Sequence, residues 1–299
     1  MKAYGETLRQ IREQKGLTMK ELSEGICSIS FLSKFERGDS DISLGLLTEI
    51  TKKLMIGLDE FLYIHNEYNP DKLEQFFKNV NTAYYESNSV QLKNLKNEEM
   101  RKWEKYKIPT YQYNMLMIEV FENIVDHNAI DKEASEEDIR LLSNYLFRVE
   151  VWGYYEFMLY NATMLFLTPE MVAQLSKTAY EKSNRYHQYK KVNDVIITII
   201  MNTITYLLGP VNDFDKPIIF QAEINEFFSY LEQLALPENH LFERVNLLHL
   251  RGAYDLKTGN IESGTNKIQQ SIQILSDLGS QGFANRLEQY LQQILEHTR

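Results

Sequence analysis

Leu46, Leu47, Ile50 and Leu54 recur at the three- and four-residue spacing of a helix that buries one face, and turn and capping residues mark where each such run begins and stops. The first helix holds Leu8 and Ile11 and stops at Gly16, with Lys15 favourably placed near its C-terminal end. Thr18 caps a second helix, and Glu21 three residues later completes a capping box. Ser28 caps the third, Ile29 to Glu36, which Gly38 ends. Ser43 opens the fourth, Gly57 breaks it, and Leu58 to His65 make a fifth. Asn66-Glu67-Tyr68-Asn69-Pro70 carries turn residues and a proline and reads as a linker. The expected organisation is a small domain at 1–65, a linker at 66–70 and a second domain at 71–299.

Beyond the linker the pattern predicts long helices over about 71–87, 89–107, 110–128, 135–149, 151–167, 169–188, 190–208, 215–235, 238–258, 260–278 and 281–298. Pro109, Pro169, Gly209-Pro210, Pro217 and Pro237 all fall at their ends, where proline is tolerated. Helices of similar length with short connections stack as antiparallel pairs, the arrangement of an α-solenoid. One pair is more specific. With Val245 as position 1 of a 34-residue unit, Gly252, Gly264 and Ser271 fall at positions 8, 20 and 27, where a tetratricopeptide repeat needs small residues, and Ile268 fills the large position 24. Asp255 stands where an aromatic is usual and Ser276 replaces a proline, so the repeat is degenerate. The expected fold is all-α, a small five-helix domain followed by an α-solenoid of TPR-like helix pairs.

Composition narrows the class. Of 299 residues, 43% are hydrophobic and 25% charged, which excludes wholesale disorder. A single cysteine, Cys27, excludes an intrachain disulfide and cannot anchor zinc unaided; its place before the third helix reads as core packing. The N-terminal residues lack the apolar segment of a signal peptide. The most apolar stretch, Val195 to Leu208, is short for a span and carries Thr198, Asn202, Thr203 and Thr205, so it reads as a buried helix of a cytoplasmic protein. Net charge is −10, divided as −1 over residues 1–65 and −9 over 66–299. A near-neutral head still binds DNA if its cations share one face.

Helix two, the link Gly25-Ile26-Cys27 and helix three have the proportions of a helix-turn-helix, whose second helix enters the major groove. Leu8, Ile11, Leu17, Leu22, Ile26, Leu32, Phe35, Leu47 and Ile50 supply a core, which leaves Ile29, Ser30, Phe31, Ser33 and Lys34 for the outer face of helix three. The helix N-terminus at Ser28 can offer backbone N–H groups to a phosphate. Arg9, Lys15 and Arg37 are candidates for sequence-independent phosphate contacts.

The run Leu17-Thr18-Met19-Lys20-Glu21-Leu22, followed by Ser28-x-Ser30-x-Leu32-Ser33-Lys34-Phe35-Glu36-Arg37-Gly38, resembles the phage-repressor-like (Cro/C1, or XRE) helix-turn-helix family. That resemblance implies that Ile29, Ser30 and Lys34 read bases, and that Arg12 and Glu36 form a partly buried ion pair between helices one and three. Met19 departs from the family, which usually places a phosphate-contacting Gln there. Such a head joined to helical repeats, with Glu150-Val151-Trp152-Gly153-Tyr154-Tyr155-Glu156 in the second domain, is similar to the Rgg/GadR/MutR transcriptional regulators. Membership implies a homodimer on double-stranded promoter DNA, switched by a short secreted signalling peptide taken back into the cell.

Arg148, Trp152 and Tyr155 would share a face if their helix were continuous, and a cation beside two aromatics suits a peptide carboxylate and an apolar side chain. Against this stands an ordinary buried Trp with a snorkelling Arg. Asn184, Asn193, Asn202 and Asn225 lie in helical stretches that disfavour Asn, and on a groove wall their amides suit an extended peptide backbone. The six histidines show no ligand spacing, Asp213 and Asp215 read as helix caps, and no nucleotide or nucleophile motif is present. No enzyme, metal, cofactor or membrane partner is therefore expected. The competing reading is an interaction scaffold that binds a protein partner through its repeats, with the head only tethering it.

Overall fold

The computed structural model describes residues 3–127, 135–210, 216–234 and 236–297, and these contain helices and no strand. The chain divides into two compact units, Met1–Tyr85 and Glu86–Arg299.

The first unit contains α1 (Tyr4–Gln14), α2 (Met19–Ser23), α3 (Ile29–Glu36), α4 (Leu44–Lys53), α5 (Leu58–His65) and α6 (Lys72–Tyr85). Its core joins Leu8 and Ile11 of α1, Leu22 of α2, Leu32 and Phe35 of α3, Leu47 and Ile50 of α4, and Phe61 of α5. Leu17, Ile26 and Cys27 pack against that core half-buried, and burial pushes the Cys27 thiol pKa up. Two contacts set how closely α1 lies on α3. A Cβ on Gly5 would come within 1.7 Å of the Phe35 carbonyl oxygen, so only glycine permits this approach. Seven residues on, Arg12 Nε and Nη2 donate to the two Glu36 carboxylate oxygens at 2.7 and 2.8 Å, and Nη1 donates to the Leu17 carbonyl at 2.8 Å. Beside Gly5, His65 Nδ1 lies 3.0 Å from Thr7 Oγ1 and its ring stacks on Tyr4, which ties α5 back to α1.

Residues 66–70, the expected linker, hold turn geometry. Glu67 and Tyr68 adopt positive φ, the Tyr68 N–H donates to the Tyr63 carbonyl, and Asn69 Nδ2 donates to the carbonyls of Asn66 and Glu67. The division between compact units falls after α6, whereas the sequence places the junction before that helix.

The second unit contains α7 (Ser89–Tyr106), α8 (Thr110–His127), α9 (Glu136–Arg148), α10 (Tyr154–Thr163), α11 (Pro169–Ser183), α12 (Lys190–Leu208), α13 (Gln221–Gln233), α14 (Leu241–Lys257), α15 (Ile261–Asp277) and α16 (Gln281–His297). Sequential neighbours pair as α7–α8, α11–α12, α14–α15 and α15–α16, while α12 also touches α10, α13 and α14. By length and composition alone α12 is apolar enough to cross a membrane. Here it is the core helix, with Ile196, Ile199, Ile200 and Ile204 fully buried. The α14–α15 pair is closest where the small residues stand: a Cβ on Gly252 would lie 2.9 Å from the Gly264 carbonyl oxygen, and one on Gly264 would lie 2.7 Å from that of Gly252. Asp255 forms a polar clasp here, accepting from Ser263 Oγ at 2.7 Å and pairing with Lys267.

Three expected helices are shorter than the periodicity suggests: the span 169–188 ends as an α-helix at Ser183, with a 3₁₀ turn at Asn184–Tyr186. The span 151–167 is helical only from Tyr154 to Thr163, with a 3₁₀ turn at Met164–Phe166, because Gly153 acts as its cap. The span 215–235 narrows to Gln221–Gln233, behind Pro217; Asp213 and Asp215 lie outside the described residues.

The Arg12–Glu36 pair is a buried ion pair, with side chains 7% and 1% exposed. Glu36→Gln removes the bidentate partner and leaves Arg12 only the exposed Glu13 carboxylate at 3.4 Å. We expect a loss of about 3–5 kcal/mol in urea unfolding, and a smaller one when both partners are replaced by apolar residues in Arg12→Met/Glu36→Leu. In the second unit, His249 of α14 lies edge-on to Tyr290 of α16, its Nδ1 lacks a hydrogen-bond partner, and burial pushes its pKa down to about 4 from 6.5. The unfolded chain therefore takes up more protons between those values, and stability falls as pH drops through that window. His249→Phe is expected to lose less stability than the natural chain when unfolding at about pH 7 and about pH 4.5 is compared.

Candidate nucleic-acid interface

The face of α3 that points outward is defined by the face that cannot. Leu32, Phe35 and Glu36 are buried, so Ile29, Ser30 and Lys34, on the opposite side of two helical turns, are exposed. Phe31 and Ser33 lie half-buried at the edges of that face. The position of α3 is set by caps before and after it. Thr18 Oγ1 accepts from the Glu21 N–H at 3.2 Å, and the Thr18 N–H donates to Glu21 Oε2 at 2.8 Å, a reciprocal capping box that starts α2. The Thr18 N–H bond first, and then the Thr18 hydroxyl donating to the same Oε2 at 2.7 Å, hold the Glu21 carboxyl pKa below its usual value. The link is closed from below by Lys53 of α4, whose Nζ donates to the Glu24 carbonyl at 2.8 Å. Ser28 Oγ then accepts from the Phe31 N–H at 3.1 Å, which caps α3 and aims its first amides outward. Met19 lies half-buried against the core, so no amide side chain stands at that position.

The candidate phosphate contacts Arg9, Lys15 and Arg37 are all exposed. Lys15 is exposed at the C-terminal end of α1. Arg9 is exposed on α1 and donates through Nε to Glu13 Oε1 at 2.9 Å, and that bond holds the Glu13 carboxyl pKa below its usual value. Arg37 caps the end of α3, with Nε on Asp39 Oδ2 at 2.7 Å and Nη1 on Ser33 Oγ at 2.7 Å. The Arg9–Glu13 pair was legible in principle as an i,i+4 spacing on a helix. The Arg37–Asp39 clamp was not, because it depends on how the loop after Gly38 turns.

In the second unit the six residues considered for a peptide do not converge. Arg148 is exposed as the last residue of α9, while Trp152 lies in the break before α10 and Tyr155 lies in α10, so the three do not share one helical face. Trp152 is fully buried, and its indole N–H donates to the Leu146 carbonyl at 3.1 Å. Tyr155 OH donates to Asn114 Oδ1 at 2.9 Å; Asn114 Nδ2 in turn donates to the buried Glu99 at 2.6 Å. Burial drives the Tyr155 phenol pKa far up. The Trp-Gly-Tyr-Tyr-Glu segment thus serves as a joint: Glu156 accepts from the Gly153 N–H at 2.8 Å and from Tyr145 OH at 2.6 Å, which fastens the start of α10 to α9.

The amides are scattered. Asn184 is exposed in a 3₁₀ turn, Asn193 Nδ2 donates to the His187 carbonyl at 2.8 Å, and Asn225 Nδ2 donates to Tyr254 OH at 2.9 Å. Asn202 Nδ2 donates to Asn161 Oδ1 at 3.0 Å between α12 and α10. An apolar recess of about 550 Å³, lined by Leu165, Tyr206, Leu208, Pro217 and Phe220, opens at the end of α12, and none of the six residues lines it. Among the described residues no group of three or more His, Cys, Asp or Glu is clustered for a metal.

Family comparison agrees with this geometry. Residues 92–289 match the C-terminal domain of the HTH-type transcriptional regulator Rgg, and residues 8–61 match a helix-turn-helix family. Among solved structures, the chain is similar to the Streptococcus dysgalactiae SHP pheromone receptor Rgg2, with 26% identity, 97% of this chain and 98% of that one covered, and a TM-score of 0.79. A putative transcriptional regulator from Listeria monocytogenes EGD-e shares the fold at 24% identity and a TM-score of 0.82, over 99% of this chain and 98% of that one. PrgX in complex with cCF10 shares it at 16% identity and a TM-score of 0.68, over 97% and 99%. With the helix-turn-helix in the first unit and most of the second unit inside the Rgg match, the chain belongs to the Rgg family of helix-turn-helix transcriptional regulators.

Proposed function

We propose that the protein is a homodimeric, cytoplasmic regulator that reads promoter DNA with α3 and is modulated by a short signalling peptide bound to its second unit. The observation that carries the DNA half is the exposed triplet Ile29, Ser30 and Lys34 on a helix whose other side is locked into a core. In this reading those side chains meet base edges, the capped N-terminus of α3 at Ser28 meets a phosphate, and Arg9, Lys15 and Arg37 contact the backbone beside it. One such head spans a half-site, so two heads read half-sites about one helical turn apart. The reading assigns the chain no catalytic role, no cofactor and no metal.

The peptide half is supported by the likeness, over nearly the whole chain, to a structure described as a pheromone receptor. Within the second unit Arg148, Asn184, Asn193 and Asn225 stand as separate candidate contacts rather than one assembled site, and Trp152 and Tyr155 belong to the packed joint at the start of α10. A peptide can move the two heads only if it binds their two arrangements with different affinity.

Selection of bound DNA from a random duplex pool at near-physiological salt tests the reading. An inverted repeat with half-sites about one turn apart is expected, and salt-sensitive retention without any sequence preference would refute it. On the recovered operator, Lys34→Ala should cost about 1–3 kcal/mol and relax preference at one base position. Arg9→Ala should weaken all sequences alike and lower the salt slope by about 1. Both are read by equilibrium titration over a salt series.

A further inference from the structure

Of the four cations that the DNA-binding reading uses, Arg9, Lys15, Lys34 and Arg37, two are already engaged by neighbouring carboxylates. Glu13 accepts from Arg9 Nε at 2.9 Å and lies 3.4 Å from Arg12 Nη2; Asp39 accepts from Arg37 Nε at 2.7 Å. These are surface pairs: Arg9 and Glu13 are 54% and 49% exposed, Arg37 and Asp39 54% and 55%. A phosphate approaching either arginine therefore meets a carboxylate beside it.

We propose that Glu13 and Asp39 lower the affinity of the head for DNA: each opposes the phosphate backbone next to the cation that attracts it. The proposal rests on the DNA-binding reading above.

A carboxylate in this place has two opposed effects. It orients the arginine, which favours a phosphate contact, and it repels the phosphate, which disfavours one. Magnitudes decide between them. An exposed ion pair is worth about 0.2–1 kcal/mol, so the orienting gain is small and a phosphate oxygen can displace the carboxylate from the guanidinium. The displaced charge cannot leave. Glu13 is one turn along α1 from Arg9, and Asp39 is two residues from Arg37, so each stays well inside the screening length of about 8–10 Å. Repulsion therefore outlasts orientation.

The test measures binding of the full chain to a random-sequence duplex over a salt series, for the natural chain, Glu13→Gln, Asp39→Asn and the double variant. Glu98→Gln, on the exposed surface of α7, controls for net charge alone, and thermal melts confirm that each variant folds. Each substitution on the head should raise affinity about two- to tenfold and steepen the salt slope by up to about 1 per released cation, with the two effects multiplying and Glu98→Gln unchanged. If Arg9→Ala and Arg37→Ala lower affinity while Glu13→Gln and Asp39→Asn leave it unchanged or reduce it, the carboxylates only orient their arginines and this proposal alone fails. If the two arginine variants bind like the natural chain, the DNA face itself is wrong and the proposal falls with it.

Discussion

A bidentate ion pair, Arg12 on Glu36, is the constraint on which the DNA-reading head depends. α3 is two turns long and too short to hold its own orientation, since helices of that length are marginal without tertiary contacts. Its last residue is clamped to α1 by a planar guanidinium that also closes on the Leu17 carbonyl, so α1, the α1–α2 turn and α3 share one anchor. Charge alone would not secure the geometry. The close approach at Gly5 brings the backbones near enough for the side chains to meet in the buried layer. An apolar pair of the same volume would match the pair for stability; a bidentate pair additionally admits only one rotation of α3 about its axis, and that rotation decides which residues face outward.

The second unit solves a different problem, which is to hold the described helices α7 to α16 together. Its answer is α12, whose apolar residues point in several directions and meet α10, α11, α13 and α14. Polar groups inside this cluster are satisfied in series. Tyr160 OH donates to the Val172 carbonyl at 3.0 Å and lies 2.6 Å from Ser176 Oγ, which lies 2.5 Å from Thr203 Oγ1, and Thr203 donates to the Ile199 carbonyl. A buried hydroxyl chain of this kind is stabilising only when complete, so it selects one register among three helices where apolar packing alone tolerates several.

The Trp-Gly-Tyr-Tyr-Glu segment shows how a motif can identify a family and yet leave its role open. In the sequence Trp152 and Tyr155 admit two readings, a peptide contact beside a cation and ordinary packing of a buried Trp. Their polar atoms are consumed by Leu146 and Asn114, and Glu156 caps the helix that follows. Gly153 was the signal that the helix breaks here, and it has the extended backbone of a cap residue. A motif rich in distinctive side chains marks this joint because three helices and a buried glutamate must be satisfied within a few residues.

Most of the head was legible in the sequence. The Thr18–Glu21 box, the Ser28 and Ser43 caps and the core from Leu8 to Ile50 all act within a few residues or follow a fixed period, so local chemistry alone determines them. The same holds for the small residues Gly252 and Gly264, which announce a close helix crossing wherever they recur at that spacing. What only the tertiary structure decided are relations between residues distant in sequence or separated by a turn of unknown hand. The pairing of Arg37 with Asp39, the link from Tyr155 through Asn114 to Glu99, and the placing of α6 with the first unit are of that kind. A helical period tells which residues share a face, but not which face meets which, because any apolar stripe can pack on any other. That choice is made by the few polar contacts and close approaches that exclude every alternative but one.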